Sequence, residues 1–425
     1  MTRNELIALH GQHRFAHERT YYREPLVIER GRGCRLVDHE GREYLDFFAG
    51  IATISVGHAH PKVVEAVAAQ VAKLSHVSTL YITEPQVRLY QALARVAPAG
   101  LDRAVCVNSG TEAVEAALTA ARMRTGQAEI IALRHSYSGH SAAVRSLTGQ
   151  STWRPTPAYG PVSHAVSPYC YRCAFRATPA HCDLACAAEV EQVIRTTTTG
   201  RIAAVVAEAI QGVGGVIVPP AGYFERVAEI ARRYGGLLVV DEIQTGFGRT
   251  GRMFAIEHWD CIPDMIAVAK GLGNGTPVGA VLAGSTVAAA FKTLYFSTFG
   301  ANPVSMQAAL AVLEVIAEEG LVENARLMGE RLLAGLAALA EQFPVVAEAR
   351  GKGLLAAIEL ADANKRPLAE LARGVHEAAK AEGLLIGLSG LDGNILRMSP
   401  PLTVTAAEVD EALSKLGRAL AAATA

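Results

Sequence analysis

The sequence lacks an excess of charge of either sign. Its 425 residues include 40 Lys and Arg against 41 Asp and Glu, which gives a formal net charge of −1. Such a balance argues against a polybasic protein that binds nucleic acid or an anionic membrane surface. Aromatic residues are also few, at 6% of the chain.

No uninterrupted apolar run approaches the roughly 20 residues that a membrane-spanning helix needs. The first residues, Met1 to Asn4, begin neither a signal-peptide core nor an obvious transit peptide. Internal repeats, charge blocks and long linkers are also lacking. Half of the residues are apolar and 19% are charged, so a chain of this length can bury a large core. We therefore expect a folded, soluble protein of the cytoplasm.

Short β-rich runs alternate with longer helical segments, the pattern of parallel strands joined by right-handed helical crossovers. The predicted strands are 103–107, 129–133, 202–207, 237–240, 265–269 and 278–283. The predicted helices are 111–124, 221–234, 302–319 and 321–342. This pattern predicts an α/β fold with a mostly parallel central sheet.

The pattern changes in the last quarter of the chain. Short strands are predicted at 354–360, 384–388 and 394–398, and helices at 368–381 and 406–421. A hairpin is predicted over 35–46, with its turn at 38–41. We therefore expect an N-terminal segment (1–50) that joins the small domain, a large domain (51–310) and a small C-terminal α+β domain (311–425).

Three strand ends carry polar residues that fit one kind of ligand. After the strand that ends at Val107, Ser109-Gly110-Thr111 opens a helix, whose N-terminal N–H groups suit a phosphate. Asp241 ends a second apolar strand, where a carboxylate can keep a heterocyclic nitrogen protonated. Lys270 ends a third, where desolvation favours the neutral amine that attacks a carbonyl. Together they predict a site for an anionic, flat, aldehyde-bearing cofactor.

Each of these features also has a simpler interpretation. A small-residue turn caps many helices that bind nothing. Asp241 could be a metal ligand or a helix cap, and Lys270 could extend from the surface into solvent.

Eight motifs follow one another along the chain: SGTEAVEAAL, YSGHS, EAIQGVGG, DEIQTGFGRTG, AKGLGNG, STFGANP, RGKG and RMSPPL. In residues and order they closely resemble the class III pyridoxal-phosphate aminotransferases of fold type I. The resemblance runs from about Leu36 to Leu402, and the pairing of DEIQTGFGRTG with AVAKG is its most specific part. It implies an aspartate-aminotransferase-like fold, pyridoxal 5'-phosphate as cofactor, and a homodimer or dimer of dimers.

Carried over position by position, the resemblance implies a role for each matching residue. Lys270 would bind the cofactor aldehyde and later move a proton, and Asp241 would pair with the pyridinium nitrogen. Thr298 would reach the phosphate bound in the other subunit. The remaining implied cofactor-binding residues are Ser109, Gly110, Thr111, Tyr137, Glu208, Ile243 and Gln244.

The sequence departs from the family pattern at two places beside these residues. Ser138 stands where the family usually has a histidine, which leaves the stacking role of Tyr137 intact. Ala209 stands where the family usually has a proline, and this relaxes the turn after Glu208.

Substrate binding is implied for Arg397 and Tyr81. A guanidinium fork matches a carboxylate in a bidentate manner, so Arg397 could hold an amino acid and then an oxo acid. Tyr81 could line the pocket, although a core tyrosine fits equally well. Val213 stands where ornithine- and aminobutyrate-type members often carry a glutamate, which argues against those substrates.

Four of the seven cysteines fall in one stretch, at Cys170, Cys173, Cys182 and Cys186. Their spacing could close a tetrahedral structural zinc site. Reduced thiols and disulfides are the alternatives that stay open.

The function implied is a ping-pong aminotransferase of the type of alanine-glyoxylate aminotransferase 2 and the ω-amino acid:pyruvate enzymes. Candidate donors are alanine, β-alanine, 3-aminoisobutyrate or a similar ω-amino acid, and candidate acceptors are pyruvate and glyoxylate. One alternative is a pyridoxal-phosphate-dependent phospho-lyase or decarboxylase on the same fold. The other alternative is a cofactor-binding regulator or metal-sensing structural protein, in which the cysteines have a role and no reaction is catalysed.

Overall fold

The computed structural model describes residues 1–18, 20–178 and 180–425. The strands in chain order are β1 (Ile28–Arg32), β2 (Arg35–Asp38), β3 (Glu43–Asp46), β4 (Arg103–Val107), β5 (Ile130–Leu133), β6 (Val162–Ala165), β7 (Ala204–Glu208), β8 (Leu237–Asp241), β9 (Met265–Val268), β10 (Gly279–Ala283), β11 (Val346–Lys352), β12 (Leu355–Leu360), β13 (Leu384–Leu385), β14 (Gly387–Ser389) and β15 (Ile395–Met398).

The α-helices are α1 (Arg3–His13), α2 (Ala49–Ala52), α3 (Pro61–Lys73), α4 (Glu84–Val96), α5 (Gly110–Thr125), α6 (Ala142–Leu147), α7 (Ala185–Thr197), α8 (Tyr223–Arg233), α9 (Ser285–Ala288), α10 (Pro303–Glu318), α11 (Leu321–Gln342), α12 (Ala369–Ala381) and α13 (Ala406–Thr424). Short 3-10 helices span Ser151–Trp153, Ala255–His258 and Lys270–Leu272. Within the described residues, no helix combines the length and the apolar character needed to cross a bilayer.

A seven-stranded sheet forms the centre of the molecule, in the order β4-β10-β9-β8-β7-β5-β6. Strand β10 runs antiparallel to both of its neighbours, and the other pairs are parallel. This confirms the predicted α/β fold with a mostly parallel sheet.

Both faces of this sheet are buried, as the apolar runs in its strands require. Along β7, Val205 and Ala207 belong to one hydrophobic cluster, which also contains residues of α7 and α8. Ala204 and Val206 belong to a second cluster, which contains residues of α5. The polar residues that follow these strands therefore emerge only at the sheet edge.

Two four-stranded sheets accompany the central one, in the orders β11-β12-β15-β14 and β1-β2-β3-β13. In the second, the N-terminal hairpin β2–β3 pairs in parallel with β13, with Leu45 opposite Leu384. The chain thus brings residues 28–46 beside the C-terminal part. The division at residues 50 and 310 stays a prediction.

The predicted strand 384–388 is wrong as a single element. The chain leaves one sheet after β13 and enters another at β14, so Ile386 lies between them. Strands β6 and β11 were not predicted, because VSHA and VAEARGK mix polar with apolar residues.

Helix α2 is a single left-handed turn. Ala49, Gly50, Ile51 and Ala52 all have positive φ, between 48° and 68°. Residues with a Cβ disfavour this region, so the turn needs external support. Asp46 provides it, because its Oδ1 accepts hydrogen bonds from the N–H groups of Phe48 (3.0 Å) and Ala49 (2.8 Å).

Candidate functional site

A cavity of about 300 Å³ lies where β7, β8 and β9 end and α5 begins. Its walls include these residues singled out from the sequence: Ser109, Gly110, Thr111, Tyr137, Glu208, Asp241, Ile243, Gln244 and Lys270. The carboxyl ends of parallel strands meet there, which is where open α/β sheets bind ligands.

The N-terminus of α5 forms one end of the cavity. Ser109 caps the helix, since its Oγ accepts a hydrogen bond from the Glu112 N–H at 3.2 Å. A Cβ on Gly110 would lie 2.8 Å from Cδ1 of Ile243, so a larger residue at this position would force the Ile243 side chain to move. Thr111 Oγ1 lies 3.2 Å from Nδ1 of His140. The helix dipole and its unpaired N–H groups make this end suitable for an anion.

Two carboxylates lie side by side at the strand ends, because Glu208 of β7 is in register with Asp241 of β8. Glu208 accepts hydrogen bonds from the backbone N–H groups of Tyr137 and Gly212, both at 2.9 Å. Burial and the Asp241 carboxylate raise the pKa of Glu208 to about 8. Burial likewise raises the pKa of Asp241 to about 6, so a cationic partner would stabilise its ionised form.

Lys270 follows β9 in a left-handed conformation with φ of 37°. Burial lowers the pKa of its ammonium to about 8, and the Arg397 guanidinium adds to this effect while Asp241 opposes it. A lysine with such a pKa supplies a neutral amine near neutral pH, as nucleophilic and proton-transfer chemistry requires.

Tyr137 supplies an aromatic wall. Its backbone N–H is fixed by Glu208, and its ring packs edge-on against Trp153 with 5.3 Å between ring centroids. The ring of Tyr137 and the side chain of Ile243 both line the cavity. A flat ligand fits between an aromatic and an aliphatic surface of this kind.

Arg397 of β15 reaches the cavity wall through Gln244, to whose Oε1 its Nη1 donates at 3.1 Å. Arg397 is 6% exposed, and its Nε is buried without a hydrogen-bond partner among the described residues. Burial lowers the pKa of Arg397. In the described part of the chain it forms no ion pair, so its charge is available to a carboxylate.

Besides Arg397, two predicted cofactor- or substrate-binding residues do not line the cavity. Tyr81 is 67% exposed on the loop between α3 and α4, so its predicted place in the substrate pocket stays a prediction. That loop carries Tyr81 outward together with Leu80 and Ile82, which are also exposed. Thr298 is exposed too, and it does not line this cavity.

The four-cysteine stretch does not support the zinc interpretation. Cys170, Cys173, Cys182 and Cys186 line one small pocket behind Tyr169. However, no group of three or more metal-ligating side chains in the described ranges is arranged to hold a metal ion. Burial and the neighbouring thiols raise the pKa of Cys170 and Cys186. None of Cys170, Cys173 and Cys186 forms a disulfide.

Several lining residues were not predicted from the sequence. Thr53 follows the left-handed turn, and Thr276 follows the glycine-rich stretch after Lys270. That stretch could have indicated Thr276, since glycines often mark close approach to a ligand. Glu242, the second residue of the acidic pair, turns away from the cavity and accepts a hydrogen bond from the Ile256 N–H at 2.7 Å.

Comparison with known proteins agrees with this geometry. The sequence profile of the class-III aminotransferases matches residues 16–420. A mitochondrial alanine–glyoxylate aminotransferase 2 homologue from Arabidopsis thaliana is 40% identical over 392 residues, 92% of this chain and 81% of the relative. An acetylornithine aminotransferase from Methanothermobacter thermautotrophicus is 39% identical over 406 residues, covering 94% of this chain and 95% of the relative.

A solved structure is similar over nearly the whole chain. The amine transaminase from an uncultivated Pseudomonas species, in its pyridoxal-phosphate-bound form, superposes with a TM-score of 0.90 at 31% identity. The superposition covers 96% of this chain and 98% of the other.

Proposed function

The chain belongs to the class-III aminotransferases and is a transaminase, and on this premise we propose that it moves an amino group from an amino acid to pyruvate or glyoxylate. The proposed donors are alanine, β-alanine, 3-aminoisobutyrate or a similar ω-amino acid. Two half-reactions in a ping-pong order would use the same cavity for the donor and for the acceptor.

The family implies pyridoxal phosphate, and the residues of the cavity fit it. The N-terminus of α5 suits the phosphate, and the buried Asp241 carboxylate suits a protonated ring nitrogen. Ile243 and Tyr137 would hold the two ring faces, and Gln244 and Glu208 would complete the polar wall. When bound, pyridoxal phosphate supplies the electron withdrawal that stabilises a carbanion on the substrate carbon.

Lys270 is proposed as the residue that moves the proton. As a neutral amine, its Nζ can take the proton from the substrate carbon that bears the amino group and return a proton in the reverse half-reaction. The adjacent Asp241 carboxylate limits how far burial lowers the pKa of Lys270. The lysine can therefore hold a proton and release it near neutral pH.

The choice of substrate rests on one observation, the buried guanidinium of Arg397, which forms no ion pair with the described residues. Among those residues its single side-chain hydrogen bond goes to a neutral amide, Gln244, and its Nε has no partner. A carboxylate would satisfy both the charge and the vacant N–H. Alanine and pyruvate each carry a carboxylate next to the reacting carbon, so one arginine would serve both half-reactions.

A panel of donors tests this proposal. The purified holoenzyme is mixed with each amino acid and pyruvate or glyoxylate, and the products are quantified. We expect turnover with alanine or an ω-amino acid, and a loss of at least about 10-fold in kcat/KM for Arg397→Lys, which keeps the charge but not the fork. Arg32→Lys, a change of the same kind at an exposed position, serves as the control. A wild-type enzyme that consumes only phosphorylated amines and releases phosphate contradicts the proposal.

N-Acetylornithine is a second candidate donor, because an acetylornithine aminotransferase is 39% identical to this chain. It belongs in the same panel. A kcat/KM for acetylornithine well above that for alanine and the ω-amino acids would favour this candidate.

We also propose that the enzyme is a homodimer whose sites are completed across the interface. Leu80, Ile82, Leu294 and Phe299 are exposed apolar side chains. Their two loops touch, since the rings of His76 and Phe299 lie 5.2 Å apart. An apolar surface of this kind is covered by a partner in most proteins, and here a second copy would bring its Thr298 to the cavity.

Subunit complementation tests this arrangement. A Lys270→Ala subunit is co-expressed with a Thr298→Ala subunit, and the heterodimer is isolated with two affinity tags. If Thr298 acts in the neighbouring site, the heterodimer contains one intact site and is more active than either variant homodimer. If activity does not exceed that of the Thr298→Ala homodimer, or if wild-type protein is monomeric by light scattering, the proposal fails.

A further inference from the structure

The N-terminal segment between α1 and β1 reaches the strand next to Arg397. The Tyr21 hydroxyl accepts a hydrogen bond from the Leu388 N–H and donates one to the Leu388 carbonyl at 3.3 Å. Leu388 belongs to β14, which pairs with β15 so that Gly387 lies opposite Arg397. Tyr21 is therefore fixed to the strand that neighbours the arginine.

An aromatic layer connects Tyr21 with the arginine itself. The ring of Tyr21 stacks on that of Phe48, with centroids 5.4 Å apart and an interplanar angle of 16°. The Arg397 guanidinium lies over the ring of Phe48, 5.0 Å from the ring centroid. Gly387 makes room for this arrangement, since a Cβ there would lie 2.5 Å from the Phe48 ring and 2.8 Å from Cγ of Arg397.

The segment is anchored on its other side by α12. The ring of Tyr22 stacks on buried His376 at 4.4 Å, and the ring of Tyr21 meets the same histidine edge-on at 4.7 Å. His376 Nε2 lies 3.1 Å from the Ile386 carbonyl oxygen, and the Arg23 N–H donates to Glu377 at 2.7 Å. These contacts fix residues 21–23 against α12.

We propose that Tyr21 is a positioning residue for the substrate carboxylate, which acts by holding Phe48 against the guanidinium of Arg397. An arginine side chain loses much rotamer freedom when its guanidinium is fixed, and Gln244 supplies only one hydrogen bond for this purpose. An aromatic face adds an attractive surface that fixes the guanidinium plane without occupying its N–H groups. The fork is thereby kept open for the carboxylate. The inference rests on the proposed role of Arg397 in binding amino acids.

Steady-state kinetics with alanine and pyruvate test this role in the holoenzyme. Tyr21→Leu keeps apolar bulk but removes the stack, and we expect it to raise the KM for alanine about 10-fold while kcat stays within about twofold. Tyr21→Phe keeps the stack, so its KM should stay within about threefold of wild type. The control is Tyr159→Leu, an exposed tyrosine outside this layer, which should change neither value.

Coupling to Arg397 distinguishes positioning from general support. In an Arg397→Lys background, we expect Tyr21→Leu to change the KM for alanine less than threefold, because residues that act through one another are not additive. The thermal midpoint of each variant shows that it is folded, and Phe48→Leu replaces Tyr21→Leu if the latter is not. An unchanged KM in Tyr21→Leu, or the same fold-change with and without Arg397, overturns the inference. If the wild-type enzyme transaminates neither alanine nor any other amino acid, the proposed function is overturned as well. If the wild type is active and Tyr21→Leu has the same KM, only this inference is overturned.

Discussion

The reactivity of the Lys270 amine should respond in opposite directions to the loss of two neighbouring charges. The Asp241 carboxylate raises the pKa of Lys270, and the Arg397 guanidinium lowers it. Asp241→Asn should therefore lower this pKa further below its wild-type value, and Arg397→Gln should raise it. Burial, which is the largest cause of the shift, is nearly unchanged by either substitution.

The expected effect on the wild-type amine is large. The pKa of Lys270 is lowered from 10.5 to about 8. At pH 7 the neutral fraction of the amine rises from about 1 in 3,000 to about 1 in 10, a gain of roughly 300-fold in reactive amine. An exposed lysine gains nothing of this kind.

Competitive reductive methylation of the apoprotein measures this fraction directly. Limiting formaldehyde and a hydride donor are added at a series of pH values, and mass spectrometry compares the labelling of Lys270 with that of exposed Lys292. The labelling of Lys270 should rise with a midpoint near pH 8 in wild type. The midpoint should lie lower in Asp241→Asn and higher in Arg397→Gln.

Two results would contradict the expected effect of burial and charge on Lys270. One is a wild-type midpoint at or above pH 10, which would mean that the cavity does not desolvate the amine. The other is a shift of both variants in the same direction, which would mean that a structural change rather than charge controls Lys270.

Three further predictions concern two residues of the cavity wall and the left-handed turn next to it. Gly110→Ala should weaken pyridoxal phosphate binding about 10-fold or more in equilibrium dialysis, because the new Cβ would lie 2.8 Å from Ile243 and push it into the cavity. The control Gly11→Ala should bind the cofactor as wild type does, because its added Cβ meets open space. For Glu208, folding raises the pKa from 4.5 to about 8, so the native apoprotein holds a proton that the unfolded chain releases, and stability should fall as pH rises between these values. The thermal midpoint of Glu208→Gln apoprotein should depend less on pH over this range, and an unchanged slope would contradict the assignment. Asp46→Ala removes two hydrogen bonds to the left-handed turn and the contact of Asp46 Oδ2 with His58 at 2.8 Å. The free energy of unfolding, measured with urea, should therefore fall by about 2–4 kcal/mol. A decrease below about 0.5 kcal/mol would show that other contacts stabilise the turn.

The polar residues at the strand ends were predictable, because each comes directly after an apolar run of strand length. Asp241 and Lys270 each follow an apolar run, and such runs are buried strands whose first polar residue must emerge at the sheet edge. The parallel sheet then brings these ends to one cavity. The start of α5 could also be placed within one residue, because Ser109 is a typical helix-capping residue.

Features that depend on contacts between distant segments were not predictable. The hydrogen bond of Arg397 to Gln244 joins residues 153 positions apart. The pattern around Tyr81 does not say whether its loop turns inward or outward. Positive φ at Ala49, Ile51 and Ala52 also contradicts local preference, because residues with a Cβ disfavour the left-handed region.

In the ping-pong reaction proposed above, the amino group leaves the donor and stays on the enzyme until an oxo acid arrives. A single-turnover experiment with holoenzyme in excess over alanine, and without acceptor, tests it most directly. We expect that about one pyruvate forms per alanine consumed, that no ammonia is released, and that added glyoxylate is then converted to glycine. Release of ammonia, or failure to form an oxo acid from alanine and from every other donor in the panel, would contradict it.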